Sequence, residues 1–172
     1  HVAPVTLNFA HVLPGIGAGR GHIDPQGLVD FLPGRVQHIA VIHPVESYWL
    51  HFGPKEQTAQ IRDLLEQQFK SITKWLLFGL TDFDFLAESL LAVQPVNIGK
   101  GTIAVGEMQY DVILVPGCET LRSTTLAYLE SFRKAEGTVI FAGKAPEYVD
   151  ARKNPAGRKL AEQCVRIPMD KI

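Results

Sequence analysis

"DVILVPGCETLRSTTLAYLESFRKAEGTVIFAG", residues 111–143, decides the fold. It opens on an apolar, β-branched run that Pro116 and Gly117 stop, the pattern of a strand buried on both faces. Leu126, Leu129 and Phe132 then recur at helical spacing. Ser123 or Thr124 stands where a helix cap is wanted, Arg133 and Lys134 fall in the last turn, and Gly137 follows. "TVIFAG" at 138–143 is a second buried strand. Strand, helix and strand within this length make a crossover unit, and crossover units build parallel sheets.

The same alternation extends in both directions. "HIAVIHP" at 38–44 is a strand that Pro44 ends, and a long helix runs through "GPKEQTAQIRDLLEQQFKSITKWLLFGL", residues 53–80. Pro54 suits its first turn, Gly79 its end, and Ile61, Leu64, Leu65, Phe69, Ile72, Trp75 and Leu76 its apolar stripe. "FDFLAESLL" offers a short strand and a helical turn, and "GTIAVGEMQY" a small strand broken at Gly106. "PAGRKLAEQC" and "VRIP" supply a last helix and an edge strand. The expected architecture is α/β: a three-layer, open, mostly parallel sheet with helices on both faces, flavodoxin-like or amidotransferase-like. Ligands in such folds collect past the carboxyl ends of the strands. Here those ends carry "HPVESYWLHF", "PGCETLRST" and "GKAPEYVD".

Residues 1–35 read differently. Prolines at 4, 14, 25 and 33 break long elements, so an irregular arm is expected there, with one helical turn at "PQGLVDFL", followed by an α/β domain over 36–172. "GIGAGRG" at 15–21 fails as a dinucleotide fingerprint. Its sixth position holds Arg20 or His22, and Pro14 and Pro25 bracket it. No cofactor is expected. A first residue that is His rather than Met is expected of a processed product or a piece of a longer chain.

Composition narrows the function classes. A formal net charge of −1, without clustered Lys and Arg, argues against a nucleic-acid partner. No apolar stretch approaches the roughly 18 residues that a membrane helix requires. Two cysteines make no disulfide framework and suit a reducing, cytoplasmic setting.

Three groups of residues are candidates for chemistry. Cys118 follows a strand end and precedes a helix, whose N-terminus favours thiolate. A cysteine nucleophile also needs a base and an orienting group, for which His43 and Glu46 are the available pair. No histidine occurs after His51, so a base downstream of the thiol is missing, and the plainer reading is a half-buried small hydrophobe in a tight turn. Second, His43, Glu46, Tyr48, Trp49 and His51 lie in one loop, suited to stacking on a sugar or to anchoring an interface, with interface or packing the better reading. The histidine spacing fits no metal site. Third, Glu46, Glu88, Glu107, Glu119 and Asp150 are enough acids for a glycoside-cleaving pair, but nothing in their spacing selects two, and acidic surface is the default.

"AVIHPVESYWLHFGP", the stretch at 110–143 and "APEYVDA" resemble the non-catalytic α/β domain that follows the catalytic barrel in certain bacterial glycoside hydrolases. The chain is similar to the β-galactosidase trimerisation domain and, more distantly, to the class I glutamine amidotransferase-like fold; the likeness covers about residues 36–168. In that fold the catalytic cysteine follows the strand after the one ending "VPG". Lys144 stands at that place here, so the resemblance implies a scaffold that has lost its thiol chemistry. It also implies an accessory and oligomerisation role, with an upstream catalytic module or sister subunits as partners and a carbohydrate as possible ligand. His43, Glu46, Tyr48, Trp49, Cys118 and Glu119 are then ligand or interface residues. The alternative is a stand-alone Cys-dependent hydrolase or amidotransferase-like enzyme using Cys118.

Overall fold

The computed structural model describes residues 5–8, 20–23, 38–79 and 81–169. Two short strands, β1 (Val5–Asn8) and β2 (Arg20–Ile23), pair antiparallel in a sheet of their own. Next come β3 (Ile39–His43), helix α1 (Val45–Leu50), helix α2 (Lys55–Phe78), β4 (Phe83–Ala87) and the single turn α3 (Glu88–Leu91). A meander of β5 (Val96–Gly99), β6 (Thr102–Val105) and β7 (Met108–Tyr110) follows, and then β8 (Val112–Pro116). The rest of the chain is β9 (Thr120–Leu121), α4 (Ser123–Lys134), β10 (Thr138–Ala142), β11 (Tyr148–Val149), β12 (Arg152–Lys153), α5 (Ala156–Glu162) and β13 (Val165–Ile167).

The main sheet is fully parallel, in the order β4–β3–β8–β10–β13. Counting only its own strands along the chain, that order is 2-1-3-4-5, the flavodoxin-like winding. The chain leaves β3 toward one edge, returns to β8, and then proceeds to the other edge. Because such crossovers are right-handed, the reversal puts successive helices on opposite faces.

Strand parity sorts the core accordingly. Ile39, Val41, Val112, Leu114, Ile140 and Ala142 pack with Ile72 and Leu76 of α2. Their neighbours Ala40, Ile42, Ile113, Val115, Val139 and Phe141 pack with Leu126, Leu129 and Phe132 of α4, Leu160 of α5, and Ile103 and Val105 of the meander. The strands read as unbroken apolar runs because both faces are covered. Each fully buried aliphatic or aromatic side chain contributes about 1.5–3 kcal/mol of transfer free energy. Among the described residues no helix is long and apolar enough to cross a membrane.

Several expectations need correction. The stretch after His43 is not a loop: Val45–Leu50 is helical, started by Pro44, whose ring suits a first turn. Leu64 is half exposed and lies outside the α2 stripe, whereas Leu65, Ile72 and Leu76 are buried. Ser123 and Thr124 do not cap α4. Arg122 holds the cap position, and Asp150 reaches across from another segment, its Oδ1 accepting the Ser123 N–H at 3.0 Å. The single small strand around Gly106 is the β6–β7 hairpin, with Gly106 at φ 60 in its two-residue turn, and β5 is a further strand. The N-terminal arm is not wholly irregular, since Pro4, Pro14 and Pro25 flank β1 and β2 rather than interrupt them. "PQGLVDFL" lies outside the described residues.

Candidate functional site

The strand order reverses between β3 and β8, so their carboxyl ends diverge and leave a crevice. Gly117 makes the exit from β8 possible: a Cβ there would stand 2.6 Å from Gln68 Oε1 and 3.3 Å from the Lys144 amide. Ser47, fully buried on α1, ties the two exits together. Its hydroxyl accepts the N–H groups of Glu119 (3.0 Å) and Thr120 (3.1 Å) and donates to the Thr120 carbonyl (3.2 Å). Three bonds to one buried hydroxyl satisfy backbone that a loop would otherwise leave unpaired.

Above this junction lies a cleft of about 360 Å³, lined by Glu46, Trp49, Leu50, Thr120–Arg122, Asp150 and Ala151. Glu46 Oε1 accepts from Arg122 Nε at 2.7 Å. Trp49 is 59% exposed at the rim and Phe52, just beyond, 87%. The far wall is the two-residue turn of the β11–β12 hairpin, where Asp150 (φ 49) and Ala151 (φ 59) both take the left-handed conformation. The Ala151 N–H donates to Thr120 Oγ1 at 3.1 Å, and the Asp150 N–H to the Leu121 carbonyl at 2.9 Å. The hydrogen bond from the Ser123 N–H also holds the Asp150 carboxyl below its usual range.

Beneath the cleft sits a residue that a surface reading misplaces. Glu88 is fully buried on α3, and its Oε2 accepts the Arg122 N–H at 2.7 Å. Burial first, and then the neighbouring Glu46 carboxyl, push it up to about 7; the Arg122 N–H and the Thr125 hydroxyl pull the other way. Glu88 Oε1, Glu46 Oε2 and Thr125 Oγ1 are all buried without an aligned hydrogen-bond partner among the described residues. One signal was present in the sequence: "FLAESLLAV", residues 85–93, sets a single acid in an apolar run. Lone acids in such runs are buried or they break the packing.

The structure disperses the other candidates. His43 points to the α2 side, its ring 5.2 Å from that of Phe69 and 6.4 Å from that of Phe85. Tyr48 is pinned to α2, accepting from Arg62 Nη2 at 2.7 Å with the guanidinium carbon 4.6 Å above its ring. Cys118 is not half-buried at a turn but buried in the opposite layer, with Ile113, Val115 and Leu121. Burial, then Glu88 and Glu119, push its thiol far above the ordinary range, reversing the thiolate-favouring effect expected of the nearby helix. Cys118, His43 and Glu46 therefore form no nucleophile–base–acid line. Glu119 instead meets His51, Oε2 to Nε2 at 2.8 Å. Lys144, at the place that the resemblance gives to a nucleophile, is exposed and pairs with Glu147 at 3.3 Å. The structure thus brings Glu46 and Trp49 to one cleft with Asp150, one of the five candidate acids, and with Arg122, which sequence reasoning passed over although it lies in the strand-end segment "PGCETLRST".

Strand order, layering and a crevice at the reversal point define a three-layer α/β protein of flavodoxin-like arrangement. No protein family, no curated protein and no solved structure matches the chain.

Proposed function

We propose that this chain is a non-catalytic accessory and oligomerisation domain of a larger glycoside hydrolase. Its strand-end cleft and the Trp49–Leu50–Phe52 rim would be the surface offered to a sister subunit, a catalytic module or a carbohydrate. The observation carrying this reading is the contrast at the crevice. The sulfur that a thiol enzyme would need is sealed in the core, while the neighbouring helix turns large apolar side chains outward. Exposed tryptophan beside carboxylate and guanidinium groups is suited to an interface anchor and to stacking on a sugar ring. Among the described residues the Cys-dependent alternative finds no base beside Cys118, and the thiol is buried.

Sedimentation of the purified chain across a concentration series tests this. Self-association that weakens in a Trp49→Ala, Phe52→Ala variant is expected. A strict monomer at the highest attainable concentration, together with no heat on titration with a panel of neutral sugars, would remove the support.

A further inference from the structure

Glu46, Glu88 and Arg122 are joined in a way that leaves a proton unaccounted for. The two carboxyls present four oxygens. Arg122 supplies one donor to each, Nε to Glu46 Oε1 and its backbone N–H to Glu88 Oε2. The remaining oxygens, Glu46 Oε2 and Glu88 Oε1, are buried with no donor aligned on either among the described residues. Thr125 Oγ1, also buried and unpaired, has one hydrogen to offer. Two unsatisfied acceptors and a single hydroxyl leave one acceptor over. A buried acceptor without a donor is costly, and a carboxyl proton supplies what is missing.

We infer that Glu46, Glu88 and Arg122 form a protonation latch. One proton shared between the two carboxyls holds Glu46 against Arg122, and its loss turns Glu46 outward into the cleft and frees the guanidinium.

The asymmetry of the pair says which member moves. Glu88 is fully buried on α3 and held by a backbone N–H, so it has nowhere to go. The Glu46 side chain already reaches the cleft and sits in the first turn of a six-residue helix whose cap position carries no side-chain bond. When Glu88 loses its proton to solvent, two carboxylates abut, one held by the Arg122 backbone N–H and the other by its guanidinium, and repulsion falls on the partner that can reach water. Ser47 keeps α1 itself in place, so the motion belongs to the side chain. Above the transition the cleft displays a carboxylate and an unpaired cation; below it, it displays a closed ion pair. This holds whatever occupies the cleft.

Among the described residues the groups facing Glu88 are few. Glu46 comes from α1, Cys118 and Glu119 from the segment after β8, and Arg122 and Thr125 from the start of α4. On β4, Asp84 is engaged by the Tyr110 hydroxyl at 3.2 Å. Across the cleft Asp150 caps α4. His51, at the end of α1, is bound to Glu119.

Trp49 stands one helical turn from Glu46 and reports on it. In a full-length Trp75→Phe variant Trp49 is the sole indole. Its fluorescence, followed across neutral pH, should change in one step centred near 7, where burial places the Glu88 carboxyl. Glu88→Gln should abolish the step, His51→Gln should leave it in place, and Glu46→Gln, which leaves no charge to be expelled into the cleft, should abolish it as well. A flat titration, or a step that survives Glu88→Gln, overturns the latch. Should Glu88→Gln fail to fold, Glu46→Gln decides alone: a step that survives it overturns the proposal.

Discussion

Replacing Glu88 by glutamine should make the protein more stable at neutral and alkaline pH, although it removes an ionisable group from the centre of a hydrogen-bonded cluster. Burial raises the Glu88 carboxyl from its ordinary 4.5 to about 7. Between those values the folded state holds a proton that the unfolded chain has released, so stability falls as pH rises. At about 1.4 kcal/mol per pH unit the loss across that window comes to about 3 kcal/mol, complete above pH 7. Glutamine keeps the shape of the protonated acid: its carbonyl oxygen accepts the Arg122 N–H and its amide donates toward Glu46. Having nothing to ionise, it contributes no slope. Denaturant unfolding of both proteins at a series of pH values measures the difference directly. The two should be close near pH 4.5 and separate in favour of Glu88→Gln by about 3 kcal/mol above pH 7. A difference that stays constant with pH would mean that Glu88 is ionised throughout, and would refute the proton count at the cluster.

Three further outcomes follow from other parts of the fold. With iodoacetamide, Cys118 should remain unmodified in the native protein and react fully in denaturant, because burial keeps it a thiol and keeps reagent out; mass spectrometry locates the label, and native modification faster than a model thiol would contradict this. Ala151→Gly relieves a left-handed alanine at a net gain of about 0.5–1 kcal/mol after glycine's extra unfolded-state entropy, readable as a higher urea midpoint. Gly137→Ala drives a methyl into the buried Phe132 ring and should cost about 1–3 kcal/mol, seen as a lower melting temperature.

Periodicity alone located most of the regular elements. Apolar runs at 39–43, 112–116 and 138–142 are strands, and the spacing of Leu126, Leu129 and Phe132 sets the buried face of α4, because a repeat of two or 3.6 residues is a property of the chain itself. Turn and cap chemistry was less readable. Asp150 is the cap of α4, and it comes from 27 residues downstream. The helix over Val45–Leu50 has no repeat long enough to declare itself, and it forms because Ser47 finds its partners in the segment after β8.

What the sequence by itself determined is the class: alternating strands and helices, greasy on the sides that meet, wound as a layered α/β domain. Tertiary structure alone decided the strand order, and with it the position of the crevice. It alone turned Glu88 from one acid among several into a buried carboxyl that keeps its proton to about pH 7. The physical reason is distance along the chain. Desolvation and pairing depend on Arg122, 34 residues from Glu88 and 76 from Glu46, and no local pattern records which remote side chain will close over a charge.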